Sequence, residues 1–184
     1  MEERSSDAFE AFYLAHFDRV ARAAYVVVGV AEDAFDIAQE SFARTWESWD
    51  KLMERDDPLF FTLRVAANLS SSHLRRVITL RRLLAFLRGG NTIEHTADRT
   101  DTLAVRSALA ALPVQQRWAA VLCDMLGYRS EPAASILGIR PSTLRVHLAR
   151  ARATLRGALA DSPDQSLEQR APVSEKSPGG DPGG

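Results

Sequence analysis

Between Pro113 and Arg156 the chain reads as three helical pieces set apart by glycine-bearing breaks: PVQQRWAAVLCDMLGYRSEPAASILGIRPSTLRVHLARARATLR. Pro113 sits where the first turn of a helix accepts proline, because that N–H would have no partner in any case. Trp118, Val121, Leu122 and Met125 then recur at helical spacing, and Gly127 marks a stop. A short helix is expected over 130–137. Gly138-Ile139-Arg140 forms a tight turn, and Pro141 opens a longer helix. A short helix, a glycine-containing turn and a second helix make a helix-turn-helix. No other stretch narrows the fold as far.

The last helix has two faces. Leu144, Leu148, Ala151, Leu155 and Leu159 form one apolar stripe. Arg145, Val146, Ala149, Arg150, Arg152 and Arg156 lie off it, and residues 140–160 hold five arginines and no acid. Side chains near the N-terminus of such a helix reach base edges, while arginines further along reach phosphates. The competing reading is a solvated basic helix on a small bundle.

Net charge is −1 and carries no hint of nucleic acid, but its distribution does. Residues 31–57 carry nine acids and three bases; residues 58–93 carry six arginines and no acid; the segment 161–184 has net charge −3. Such segregation suits separate surfaces for separate partners. The lone cysteine, Cys123, excludes an intramolecular disulfide and fits a reducing cytoplasm. The N-terminus shows no secretory core, and Val26-Val27-Val28 is far too short to span a bilayer, so no stable membrane insertion is expected. The four histidines are scattered without ligand spacing, so no metal or cofactor is expected. Neither paired catalytic carboxylates nor a nucleophile set nor a phosphate-binding glycine loop is present, which argues against an enzyme.

Taken in order, residues 7–28 read as a helix ended by Gly29, with Phe9, Phe12, Tyr13, Phe17, Val20, Ala24 and Val27 as its apolar stripe. Residues 32–50 read as a second helix. Ala34, Ile37, Ala38, Phe42, Thr45 and Trp49 face inward; Asp36, Gln39, Glu40, Ala43 and Glu47 share an acidic face. Asp56-Asp57-Pro58 starts a third helix over 59–77. Its Arg64, Asn68, Ser71, Ser72, Arg75 and Arg76 suit phosphates and bases, and Phe60 and Phe61 suit stacking on unpaired bases, with core packing the alternative for at least one. Residues 78–88 continue as a short basic amphipathic helix, broken by Gly89-Gly90-Asn91, and a helical pattern resumes over 102–112. The proline- and glycine-rich tail is expected to be disordered. The class is all-α: two small helical domains joined by a flexible linker, the second a helix-turn-helix domain. The bounds are 7–79, linker 80–101, 102–160 and tail 161–184.

Two blocks then resemble the extracytoplasmic-function (ECF) type of bacterial RNA polymerase sigma factor. AFDIAQESFARTW (34–46) is similar to the family's segment that docks on the β′ clamp, and FTLRVAANLSSSHLRR (61–76) to the helix that engages the promoter −10 element. LPVQQR (112–117) and the helix-turn-helix after it are similar to the −35-binding domain. The resemblance implies polymerase-binding residues Asp36, Gln39, Glu40, Phe42, Ala43 and Glu47. It implies −10 contacts from Phe61, Arg64, Asn68, Ser71, Ser72, Arg75 and Arg76, and −35 contacts from Arg140, Ser142, Thr143, Arg145, Val146, Ala149, Arg150 and Arg152. The implied partners are core RNA polymerase, through its β′ clamp and β flap, promoter DNA and, as is common in the family, an anti-sigma factor. The alternative is a stand-alone helix-turn-helix regulator that binds an operator as a dimer.

Overall fold

The computed structural model of the chain describes residues 2–55, 57–87 and 101–160. Eight α-helices are formed among the described residues: α1 (Glu2–Val28), α2 (Ala31–Glu47), α3 (Trp49–Arg55), α4 (Pro58–Leu87), α5 (Asp101–Ala111), α6 (Val114–Ala120), α7 (Ser130–Leu137) and α8 (Pro141–Ala160). The expected tail, and the linker beyond Leu87, lie outside the described residues.

Local chemistry sets the helix ends. Gly29 takes φ +82°, which ends α1. The Asp57 carboxylate accepts the Leu59 N–H at 2.9 Å and so caps α4, with Pro58 in the first turn. After α6 the backbone widens into one π-helical turn, Val121–Met125, closed by the Leu126 N–H on the Val121 carbonyl at 2.9 Å. At the end of α7 the Ile139 N–H reaches the Ala134 carbonyl and the Gly138 N–H reaches that of Ser135. With Gly138 at φ +66° this is a Schellman closure, and it fixes the turn into α8.

Three expected boundaries differ. The first helix begins at Glu2 rather than residue 7, and the Ser5 hydroxyl within it donates to Asp50 at 2.9 Å. The second helix ends at Glu47; Ser48 turns the chain into α3, where 32–50 had been expected as one piece. The third helix does not end near residue 77 but runs unbroken to Leu87, so the first eight positions of the expected 80–101 linker are helix. Nothing between 77 and 87 breaks a helix, and the Thr79 hydroxyl bonds back to the Arg75 carbonyl within it.

α1, α2 and α4 pack around Val20, Ala24, Val27, Ala34, Ile37, Phe42, Leu63 and Ala66. An aromatic cluster extends that core: Phe9, Phe12, Tyr13 and Phe17 of α1 meet Phe42, Trp46 and Trp49 at centroid distances of 4.8–5.7 Å. The helix-turn-helix half closes over Trp118, Leu122, Ala133, Ile136, Leu144 and Leu148, and this core is continuous with the first. The halves are thus packed together. Four arginines stitch the seam. Arg19 donates to the Leu126 carbonyl (3.0 Å), Arg64 to Ser135 (3.0 Å), Arg106 to Gly29 (3.3 Å) and Arg117 to Val27 (2.6 Å). Each acceptor lies in the last turn or just past the end of a helix, where the macrodipole is negative; the Ser135 carbonyl takes the Gly138 N–H as well.

Candidate polymerase and nucleic-acid interfaces

On α2, Asp36, Gln39, Glu40, Ala43 and Glu47 are all exposed. They fall within an arc of about 100° at ~100° per residue. Glu40 is partly engaged by Arg44, 2.8 Å away. Phe42 behaves differently. At 1 % exposure it lies in the aromatic core, so it shapes the face from behind and touches no partner directly. Sequence reasoning missed the apolar edge of this face. Phe35 and Trp46 are 49 % and 45 % exposed. Their rings rest edge-on or tilted against Phe17 and Phe9, and Trp46 walls a shallow groove of about 290 Å³ with Ser6, Phe9, Glu10 and Tyr13. The signal was available: Trp46 is seven residues, two turns, after Gln39. A carboxylate face rimmed by a held tryptophan fits a protein partner better than simple solvation does.

On α4, Phe61, Arg64, Asn68, Ser71, Ser72 and Arg75 line up along one side, with Arg76 at its edge. Asn68, Arg75 and Arg76 are exposed, while Phe61, Ser71 and Ser72 are half-buried. Ser71 donates to the Ala67 carbonyl, and Arg75 reaches the Ser71 carbonyl and the Ser72 hydroxyl at 3.2 and 3.3 Å, which pre-orders this row. Arg64 is 5.4 Å from the Phe60 ring centre, and its guanidinium is tied to Ser135 of α7. In this closed arrangement Arg64 is therefore not free for a nucleic-acid phosphate.

Arg140, just before α8, and Ser142, Thr143, Arg145, Val146, Ala149, Arg150 and Arg152 on it are all exposed; Ser142, Val146, Ala149 and Arg150 lie on the side opposite the buried Leu144, Leu148 and Ala151, with Arg145, Thr143 and Arg152 on its flanks. Two carry acidic partners. Arg152 pairs with Asp124 through bonds of 2.5–3.2 Å, which raises the arginine's pKa, and Arg145 lies 3.8 Å from Glu131. Among the described residues Arg140 and Arg150 form no ion pair. Cys123 sits beside the Asp124 pair. Burial first and Asp124 second push its thiol pKa up, against the opposing pull of Arg152. Among the described residues no group of three potential ligands could hold a metal ion.

Two family descriptions match this chain: Sigma-70 region 2 over residues 12–77, and Sigma-70, region 4, over 102–155. The order and extent are those of the two halves described above, and they define a sigma factor of the Sigma-70 class. Relatives narrow the class. ECF RNA polymerase sigma factor SigE of Mycolicibacterium smegmatis is 31% identical over 165 residues, covering 83% of this chain and 62% of that protein. ECF RNA polymerase sigma factor SigM of Mycobacterium tuberculosis is 30% identical over 149 residues, covering 80% and 75%. The chain belongs to the family of ECF RNA polymerase sigma factors. In fold it is similar to the sigma factor RpoE in the complex with anti-sigma factor NepR from Bartonella quintana, with a TM-score of 0.69 at 22% identity over 84% of this chain and 98% of that one. It is also similar to CnrH in complex with the cytosolic domain of CnrY, with a TM-score of 0.61 at 25% identity over 85% and 91%.

Proposed function

We propose that this chain binds core RNA polymerase and directs it to promoters, reading a −10 element with α4 and a −35 element with α8. The observation that carries this is the separation of three exposed surfaces on one chain: carboxylates with an apolar rim on α2, arginine, asparagine and serine along α4, and arginines opposite the core stripe of α8. The acidic face repels DNA and suits a basic protein surface, here the β′ clamp, while the other two attract phosphate. The helix-turn-helix half also meets the β flap. Such a protein works in the cytoplasm and does no chemistry itself; no helix among the described residues is long and apolar enough to cross a membrane. An anti-sigma factor is a further partner, supported by the complex with anti-sigma factor NepR in which the similar RpoE structure was solved.

Affinity arithmetic favours dependence on polymerase. A handful of arginine–phosphate contacts gives about 10⁻⁴–10⁻⁶ M at physiological salt, and a bidentate base contact adds about 1–3 kcal/mol. Two weak readers held on one scaffold gain through effective concentration. The test is gel filtration with bacterial core polymerase, followed by run-off transcription. Co-elution is expected, weakened by Asp36→Arg or Gln39→Ala with isolated DNA affinity nearly unchanged. Arg145→Ala with Arg150→Ala should lower −35-dependent transcription without loss of co-elution. Absence of co-elution, with tight sequence-specific binding by the free protein, would instead indicate a stand-alone regulator.

A further inference from the structure

Beyond the proposed −10 row, with which it shares Arg76, α4 carries a second surface. From residue 77 onward Leu80, Leu83, Leu84 and Leu87 are 40–68 % exposed. With the half-buried Val77 they span about 120° of the helix at ~100° per residue. Val77, Leu80, Leu84 and Leu87 are spaced three, four and three, the step of a coiled-coil seam with the valine and Leu84 at one core position and the other two leucines at the second. Arg76 and Arg81 then occupy the two flanking positions that choose a partner. No acid lies between residues 58 and 93, and among the described residues none of Arg76, Arg81 and Arg82 forms an ion pair.

We propose that residues 76–87 of α4 are a docking surface for an amphipathic helix of another protein, with a leucine-type seam flanked by glutamate or aspartate. The charges decide against the other occupants. In a parallel pair of two copies of this chain, Arg76 would face Arg81 of the other copy on both sides of the seam, and an antiparallel pair would also set like charges together. A lipid surface fits poorly, because Ile78 and Phe86, 48 % and 84 % exposed, lie with Arg82 away from the leucine stripe, and one plane cannot cover both sides. Nor does this chain supply the cover: residues 88–100 offer only Ile93 as a large aliphatic side chain, and 161–184 only Leu167 and Val173, among four prolines. On the promoter reading proposed above, on which this step rests, Arg76 also borders the −10 row, so a helix docked here competes with promoter capture.

The experiment uses the full chain and two synthetic 21-residue helical peptides with leucine at the seam positions. One has glutamate at the flanking positions, the other lysine. Anisotropy titration should show binding of the glutamate peptide and at least ~10-fold weaker binding of the lysine peptide, the difference shrinking in 1 M salt as charge is screened. Leu80→Asp with Leu84→Asp should abolish binding while leaving the circular-dichroism melt in place, since both side chains are exposed. Arg76→Glu with Arg81→Glu should reverse the peptide preference. Equal binding of both peptides, binding that survives the leucine changes, or leucine-dependent dimerisation or flotation with phosphatidylglycerol vesicles in place of peptide binding would each overturn the proposal.

Discussion

Arg117 offers the sharpest test of how the two halves are held. Its guanidinium, half-buried, donates Nε to the Leu112 carbonyl at 2.9 Å, Nη1 to Val27 at 2.6 Å and Nη2 to Ala110 at 2.6 Å. It thereby joins the end of α1 to the junction of α5 and α6. Burial draws its pKa down from the ordinary arginine value, yet an arginine stays charged at any pH of interest. Replacing it with methionine keeps the stem and removes all three donors. Hydrogen bonds to charged groups are worth about 1.5–3 kcal/mol each. Water reaches part of this site and the cost of burying the charge is relieved, so the net loss expected for Arg117→Met is ~2–4 kcal/mol, less than the simple sum. For a chain of this size that lowers Tm by ~5–15 °C. Urea unfolding followed by tryptophan fluorescence suits the measurement, because the adjacent Trp118 is 1 % exposed and Trp49 reports the other half at 4 %. The midpoint should fall, and the variant's fluorescence transition should no longer coincide with its far-UV circular dichroism as the two halves uncouple. Arg106→Ala is the contrast, since its bond to Gly29 is long and exposed and should cost under ~0.5 kcal/mol. An Arg117→Met protein with an unchanged midpoint, or one no less stable than Arg106→Ala, would refute the reasoning.

Other outcomes follow from single sites. Thr45 and Thr62 are both fully buried, and their hydroxyls meet at 2.8 Å while each also reaches a carbonyl of its own helix. Two protons serve three contacts, so Thr45→Val and Thr62→Val should each cost ~1 kcal/mol and the double variant less than their sum, as a denaturation cycle will read. Because burial and Asp124 raise the Cys123 thiol pKa, its thiolate fraction at pH 8 is below that of a free cysteine; alkylation by iodoacetamide should be slower than for a model thiol and should quicken in Asp124→Asn. A rate equal to the model thiol's in the folded protein would contradict the burial assignment. Trp46→Ala should weaken co-elution with core polymerase at least as much as Gln39→Ala, with little change in the melt.

Much of this architecture can be read from spacing alone. The alternation of Leu144, Leu148 and Ala151 with exposed arginines, the left-handed Gly138, and the Asp57-Pro58 start of α4 are local signals that tertiary contacts did not override. The acidic face of α2 was equally legible, and so was the inward direction of Phe42, which follows from its place beside Ile37 and Ala38 and not from the motif it belongs to. What could not be read is the closure of the two halves. Arg19, Arg64, Arg106 and Arg117 all end on backbone carbonyls. A carbonyl at a helix end has no side-chain signature, so no pattern of residue types announces which arginine will find it. The helical character of 78–88 is legible in the sequence, but its fusion with 59–77 into one helix to Leu87 is not: the exposed leucines belong to no core among the described residues, and a helix is usually recognised by the face it buries.

That continuation bears on reach. Elements named for positions −10 and −35 lie ~25 base pairs apart, about 85 Å at 3.4 Å per base pair. The packed molecule, taken as ~150 residues, has a radius of gyration near 15 Å and a diameter near 40 Å, so as it stands it can touch one element or the other. On the proposed reading the halves must part before both elements can be met, and the end of α4 over residues 78–87 then sets them ~15 Å further apart as one helix instead of as slack chain.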